Sequence, residues 1–427
     1  MNSLPRQLLI EPRVAQHALP DPAGELARQL DATWRQEDWA GKRVAVGVGS
    51  RGIDRIGELA RTVVAWLRAR GADPFVMPAM GSHGGGTPAG QLELLANYGV
   101  TENAVGAPID ASMEVAEIGT SAEGIRVVTS TRALAADIVV LVNRIKPHTD
   151  FDSPVAGSGL VKMSAIGLGK IEGASRAHWA AATLGHERVI RDVSATVLPR
   201  LKRVYGVGVV EDGTHRIARI ALLRGEEFHA REPELLALAR EWMPALPFPE
   251  VDVLIIDEIG KEISGTGMDT NIIGRGVDLQ PFRSRRSAIR AIYVRGLTPG
   301  SHGNAVGIGL ADIVSTRLVD AMDRKVTYTN AISAMTPGTA RIAIHFPTDR
   351  ECVQAALRVS AANPEAPRIV RIRHTLALDR IVVSEAYLPQ IAERDDLKIL
   401  VRPTDWQFGA GGNFDVETDL LAAVAAG

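Results

Sequence analysis

Between Asn143 and Trp179 the chain reads NRIKPHTDFDSPVAGSGLVKMSAIGLGKIEGASRAHW, which sets two histidines, five glycines and several lysines in a stretch too irregular for one helix. These residue types suit a reactive pocket wall. Glycine lets the backbone approach a ligand closely, a neutral imidazole binds a metal or carries protons, and a lysine amine can form a covalent bond. His148, Lys162 and His178 are the residues there to explain. Upstream, Gly81-Ser82-His83-Gly84-Gly85-Gly86 presents another histidine among glycines. GSRGIDR (49–55) places Arg51 in a turn where a guanidinium and free helix amides can hold a carboxylate or a phosphate. EIGKEISGTGMDTN (258–271) lacks the complete dinucleotide fingerprint and reads instead as a ligand loop offering Lys261, Asp269 and Asn271.

Each residue also has a plainer reading. His83 can be a loop histidine capping the next helix, and His148 a strand-end histidine flanked by the polar turn residues Thr149 and Asp150. Lys162, between Val161 and Met163, can snorkel its stem past core residues. His178, beside Trp179 in an alanine-rich stretch, can be a satisfied core histidine, and Arg51 a solvated surface cation.

The elements that must position these groups follow from the alternation of short Val/Ile runs with segments of helical period, which predicts an α/β fold. RVAVGV (43–48), a helix over 53–71 and a strand over 73–79 form one βαβ unit. Thr87 as N-cap and Pro88 at the first helical position open a helix running to Tyr98. The His83 loop therefore follows a strand and precedes a helix, where open α/β sheets bind ligands. DIVVLVN (137–143) is a further strand whose carboxyl end delivers His148. A helix near 186–204, strands at 206–211 and 217–224 and a helix near 232–243 complete the first half. MPALPFPE (243–250) reads as a linker, dividing the chain into α/β domains at 1–247 and 248–427 with an active-site cleft between them. Strands at 251–257, 290–297, 339–346, 369–373, 380–384 and 397–401, with a helix near 349–361, are expected in the second domain.

Composition narrows the partners. The 48 basic and 50 acidic residues nearly balance, with no basic run interleaved with aromatics, so the footprint of a nucleic-acid binder is missing and a small molecule is the expected partner. One cysteine, Cys352, excludes an intrachain disulfide framework and a cysteine zinc cluster. No stretch approaches the roughly 18 apolar residues of a membrane span, and a cytoplasmic location with no membrane partner is expected.

Taken in order, Arg51, His83, the Pro-His dipeptide at His148, the glycine-rich run ending in Lys162 and His178 sixteen positions later resemble the nickel-pincer-nucleotide-dependent lactate racemase family and its 2-hydroxyacid racemases and epimerases. The resemblance covers most of the first 200 residues; over the second half it is one of α/β architecture alone. It implies an isomerase that inverts the C2 carbinol of a 2-hydroxyacid by hydride transfer to and from a tethered cofactor, pyridinium-3,5-bisthiocarboxylic acid mononucleotide carrying nickel. It implies Lys162 as tether, with Arg51, Gly157 and Gly159 as further cofactor-binding residues. His178 becomes the nickel ligand, His83 and His148 paired acid/base residues, and Arg51 a substrate-binding residue; Lys261, from the ligand loop of the second half, is expected to bind substrate as well. The chain departs from its apparent relatives in a longer spacer, TDFDSPVAGSGLV, between His148 and Lys162, in Val48 where they carry an acidic residue, and in Lys170, a rival tether eight positions before His178. These departures point to a substrate larger or more polar than lactate, such as a sugar acid. A related metal-dependent enzyme without the pincer cofactor, or a non-catalytic homologue binding nucleotide or metal, is the alternative.

Overall fold

In a computed structural model of the chain, which describes residues 4–14, 16–49, 52–277, 286–415 and 419–421, valine-rich runs form the centre of each sheet. RVAVGV is exposed at Arg43 and buried from Val44 to Val48, as a strand covered on both faces must be. Two units are distinguished: Ala15–His148 with Ser153–Met243, and Met1–Val14 with Thr149–Asp152 and Pro244–Gly427. The sequence sets the boundary at 247/248, whereas the division falls after Met243, at the start of the proline cluster. The amino-terminal segment does not stay with the first half. Strand β1 (Gln7–Pro12) pairs antiparallel with Ile381–Ser384 and Leu397–Thr404, so Met1–Val14 belongs to the second unit.

The first unit holds helix α1 (Pro22–Thr33), β2 (Arg43–Val48), helix α2 (Ile56–Arg68), β3 (Asp73–Pro78) and helix α3 (Pro88–Asn97). The hairpin β4 (Val115–Thr120) and β5 (Arg126–Ser130) follows, then β6 (Ile138–Arg144), helices α4 (Lys170–Leu184) and α5 (His186–Val197), β7 (Val204–Glu211), β8 (Ile217–Arg224) and helix α6 (Phe228–Trp242). Its main sheet runs β3-β2-β6-β7-β8, parallel except for the antiparallel edge strand β8. Because β3 lies on one side of β2 and β6 on the other, the strand order reverses at β2, and ligands of open α/β sheets bind outside the carboxyl ends at such a point. Helix α2 buries Ile56, Leu59, Ala60, Val63, Val64 and Leu67 against Val44, Val46, Val140 and Val207, a stripe of helical period meeting the valines of the sheet. Trp34, Trp39 and Tyr205 join this core as tilted rings whose centroids lie 4.9–6.3 Å apart.

The second unit contains β9 (Glu250–Ile259), β10 (Ala288–Leu297), β11 (Ile313–Ser315), β12 (Ile344–Phe346), helix α7 (Asp349–Val359), β13 (Ile369–Ile372), β14 (Ile381–Ser384) and β15 (Leu397–Thr404). They form an eight-stranded mixed sheet with β1, in the order β12-β11-β10-β9-β13-β14-β1-β15. The strand expected over 339–346 is confined to Ile344–Phe346, because Pro337 opens a 3-10 turn that occupies Pro337–Ala340. Buried charges in this unit pair with each other. Asp257 accepts from Arg295 at 2.8 Å and from Arg371 at 2.8 Å, while Asp349 takes Arg295 and the Tyr293 hydroxyl. Burial alone would raise the Asp349 carboxyl, but the Arg295 guanidinium and the hydroxyl hold it well below the usual range. No helix among the described residues is long and apolar enough to cross a membrane.

Leu141 is fully buried in β6, and its Cδ2 fills the space where a Cβ on Gly47 would sit, 2.8 Å away. Leu141→Ala removes that packing across β2 and β6 and is expected to cost about 3 kcal/mol in urea-unfolding stability.

Candidate functional site

The carboxyl ends of β3 and β6 carry the two histidine segments. After β3 the chain enters Gly81-Ser82-His83 and a 3-10 turn at Gly84–Gly86, in which all three glycines take positive φ, between 64° and 66°. A side chain at Gly84 would collide with the backbone of Gly90, 2.6 Å away, so the loop folds tightly onto the start of α3. Thr87, not His83, caps that helix: its hydroxyl accepts from Gly90 N at 3.1 Å, with Pro88 next in line. Gln91, fully buried, donates its amide to the carbonyls of Gly81 at 3.0 Å and His83 at 3.2 Å, fixing the loop from below. His83 is left partly exposed at the loop's end.

After β6, Lys146 and Ser158 exchange two backbone hydrogen bonds of 2.8 Å, pinching off the intervening residues as a closed loop. Asn143 steadies the returning chain by donating to Gly159 O at 3.0 Å. The helical turn Leu160–Lys162 then runs into a π-helical stretch, Met163–Gly167, a geometry frequent at functional sites. This arrangement brings Lys162 Nζ to 2.6 Å from His148 Nε2. At that distance one nitrogen lends a lone pair to the other's proton, so the pair shares a hydrogen bond in which the two are not both cationic. His148 is buried and Lys162 half-buried.

The glycines of the run serve the chain's own packing. A Cβ on Gly157 would lie 2.5 Å from the Lys146 carbonyl, and one on Gly159 2.4 Å from Glu232 Oε1. Glu232, on α6 and 1% exposed, accepts from Val161 N at 2.9 Å. Burial pushes its carboxyl up to about 7, against the pull of the Val161 and Leu160 amides.

Lys170 is not a tether in waiting. Its side chain is fully buried, its backbone is left-handed at φ 53°, and its amine donates to Pro78 O, the last carbonyl of β3, at 2.6 Å. Burial lowers this amine to about 8. The helix it opens, α4, carries Ile171 and Ala174, whose atoms lie against Gly86 and Gly81 respectively. Helical spacing sets His178 on that same face, one turn beyond Ala174. His178 is half-buried, and its ring stands 6.1 Å from that of His186, an imidazole the sequence gave no reason to single out.

Arg51 lies outside the described residues. Lys261 follows β9 in the second unit, where its amine donates to Gly265 O at 2.5 Å and its backbone amide to Ser301 Oγ at 2.9 Å. Asp269, nearby, caps a short turn by accepting from Asn271 N at 2.9 Å. Gln91 and Glu232 were invisible to motif reasoning, since each reads in sequence as one polar residue on an ordinary amphipathic helix.

No protein-family model and no curated protein matches the chain. Two solved structures share its fold. One is the lactate racemase apoprotein from Thermoanaerobacterium thermosaccharolyticum, with a TM-score of 0.51 and 14% identity over 86% of this chain and 99% of that one. The other is a structural-genomics protein from Thermotoga maritima, with a TM-score of 0.50 and 16% identity over 66% and 72% of the respective chains. At such identities the likeness is one of α/β architecture.

Between about pH 4.5 and 7 the folded chain keeps a proton on Glu232 that the unfolded chain has released. The group's contribution to stability is therefore complete below pH 4.5 and is lost as pH rises through 7. Glu232→Gln, neutral at every pH, removes that loss. From pH 5 to pH 8 the variant should gain on the wild type by about 3 kcal/mol in denaturant-unfolding free energy.

Proposed function

We propose that the chain is a racemase or epimerase of the 2-hydroxyacid class, working with a lysine-tethered nickel-pincer nucleotide. The observation that carries this is the 2.6 Å contact between Lys162 Nζ and His148 Nε2 at the carboxyl edge of the parallel sheet. A lysine must surrender its proton to bond covalently, and His148 is the acceptor beside it. The same imidazole then stays next to whatever Lys162 holds.

Inverting a carbinol carbon requires a hydride acceptor, which the cofactor supplies when bound, and a proton acceptor for the hydroxyl in each of its two orientations. His83 and His148 answer the second need. They follow the two strands that flank β2, two strand spacings or roughly 10 Å apart at their ends, a separation that accommodates an alcohol carbon with an imidazole on either side. Each takes the hydroxyl proton of one stereoisomer and returns a proton to the alkoxide of the other.

A pincer cofactor would ask one metal donor of the protein. Among the described residues no group of three His, Cys, Asp or Glu side chains can hold a metal ion. A metal at this site would take its other donors from the pincer's sulfur arms and one imidazole from the protein, which is the role of His178. Lys162 would hold the nucleotide, and Arg51 an anionic group of cofactor or substrate. The fold likeness to a lactate racemase apoprotein is consistent with this chemistry. The substrate is a small 2-hydroxyacid, larger or more polar than lactate, and sugar acids are the first to test.

Protein made in a host that synthesises the cofactor should carry a covalent adduct on Lys162 by peptide mass spectrometry, together with bound nickel; unmodified Lys162 from that host would overturn the assignment. In that preparation His83→Ala and His148→Ala should each lower interconversion across a panel of 2-hydroxyacids by at least about 100-fold. Nickel content of His83→Ala should stay near the wild-type level, whereas His148→Ala, which removes the proton acceptor beside Lys162, should also lower the adduct. Full activity in either variant removes that histidine from the mechanism.

A further inference from the structure

We propose that Glu232 is a positioning residue that holds Lys162 against His148. It deepens the function proposed above, on which the importance of Lys162 rests, but its own basis is geometric. Lys162 lies in the first turn of a helical stretch that begins at Leu160 and continues as the π-helix Met163–Gly167, so its placement depends on how that first turn is seated. Three constraints fix it from outside. Asn143 on β6 holds Gly159 O at 3.0 Å, and the Lys146–Ser158 bridge closes the loop before it. Glu232 reaches from α6 to accept from Val161 N at 2.9 Å, one residue before Lys162.

Of the three, Glu232 is the constraint at the turn itself. Its carboxylate occupies the opening of the turn where backbone amides have no helical partner, the place at which an acceptor is most effective. Its second oxygen, Oε1, has no hydrogen-bond partner and is pressed against Gly159, where a Cβ would come within 2.4 Å. A buried carboxyl group with an unsatisfied oxygen is costly to keep, whether it holds its proton or not. Neither a leucine nor an alanine here would carry that cost, so a carboxyl at this place is explained by what it holds. Ser164, two residues past Lys162, bonds Val161 O at 2.8 Å and Ser194 Oγ at 2.8 Å, so the turn is gripped on its amide side by Glu232 and on its carbonyl side by α5.

The test uses the apoprotein, so its outcome is independent of cofactor loading. Lys162 is acetylated with an N-hydroxysuccinimide ester, and the rate is read by peptide mass spectrometry with exposed Lys202 as the internal reference. Glu232→Ala should label Lys162 at least threefold faster than wild type with Lys202 unchanged, because the freed turn swings the amine off His148. Glu232→Gln, whose amide oxygen still accepts from Val161 N, should label at the wild-type rate. Thermal melts establish that each variant is folded. If Glu232→Ala does not fold, Glu232→Asp, one methylene short of Val161 N, is judged by the same criterion. A folded Glu232→Ala or Glu232→Asp with wild-type labelling of Lys162 overturns the proposal, as does a Glu232→Gln that labels as fast as Glu232→Ala. Failure of the functional reading would show separately, as an unmodified Lys162 in protein from the cofactor-making host.

Discussion

The pair of backbone hydrogen bonds between Lys146 and Ser158, each 2.8 Å, is the constraint on which the site depends. His148 and Lys162 are fourteen positions apart, and the segment between them is the least regular in the first unit. Left open, such a segment would set their separation by its own wandering. Bridged at its neck, it makes the distance from β6 to the Leu160 turn independent of how many residues the loop contains. Loop length then matters little energetically, since each doubling adds only about 0.6 kcal/mol of closure entropy. The long spacer TDFDSPVAGSGLV, which in sequence looks like a disruption of the histidine–lysine pair, is thereby compatible with a 2.6 Å contact across it.

Both units hold buried charge in ion pairs, Arg144 with Glu211 in the first among them, but two buried groups of the first unit are held another way. In the second unit Arg295, Arg371, Asp257 and Asp349 neutralise one another at the ends of β9, β10 and β13 and at the start of α7. A network of that kind satisfies itself and gives rigidity. In the first unit Glu232 and Lys170 bond to backbone instead, at Val161 N and Pro78 O. Their desolvation shifts the carboxyl up to about 7 and the amine down to about 8, so each sits closer to neutrality than its ordinary value. Polar groups kept under that strain lie directly behind Lys162 and behind the His83 loop. They mark where the fold gives up stability to hold particular stretches of main chain.

What the sequence disclosed depended on how local the cause was. The α3 helix could be read almost to the residue, because Thr87 and Pro88 act within one turn and Tyr98 ends it. The strands RVAVGV and IVVLVNR were equally plain, their valines being the direct signature of a sheet covered on both faces. β1 was not legible, since QLLIEP becomes a strand only by pairing with residues more than 370 positions away. The hairpin β4–β5 was missed for a related reason: VAEIGT is nowhere fully buried and carries no apolar alternation. At the site, the types His83, His148, Lys162 and His178 were legible, and their placement on strand ends was too. The Lys162–His148 contact was not, because it is made by Glu232, Asn143 and the loop bridge, none of which has a motif.

The spacing between Lys162 and His178 is not that of one straight helix. Over sixteen residues an uninterrupted α-helix advances about 24 Å and turns through a net angle of about 160°. A single helix from Leu160 to Leu184 would therefore set the two side chains on opposite faces. The chain departs from a single helix in two steps, a π-helical stretch at Met163–Gly167 and a left-handed residue at Lys170. A non-glycine residue in that conformation costs of order 1 kcal/mol or more and persists only where its surroundings hold it. Here the hold is the buried amine on Pro78 O, which ties the break to the end of β3. The redirected helix then lays Ile171 and Ala174 against Gly86 and Gly81, and His178 follows one turn later on that face. Lysine at 170 thus acts through its backbone angle and its anchor: glycine would adopt the angle without strain, but it would leave the Pro78 carbonyl buried and unpaired.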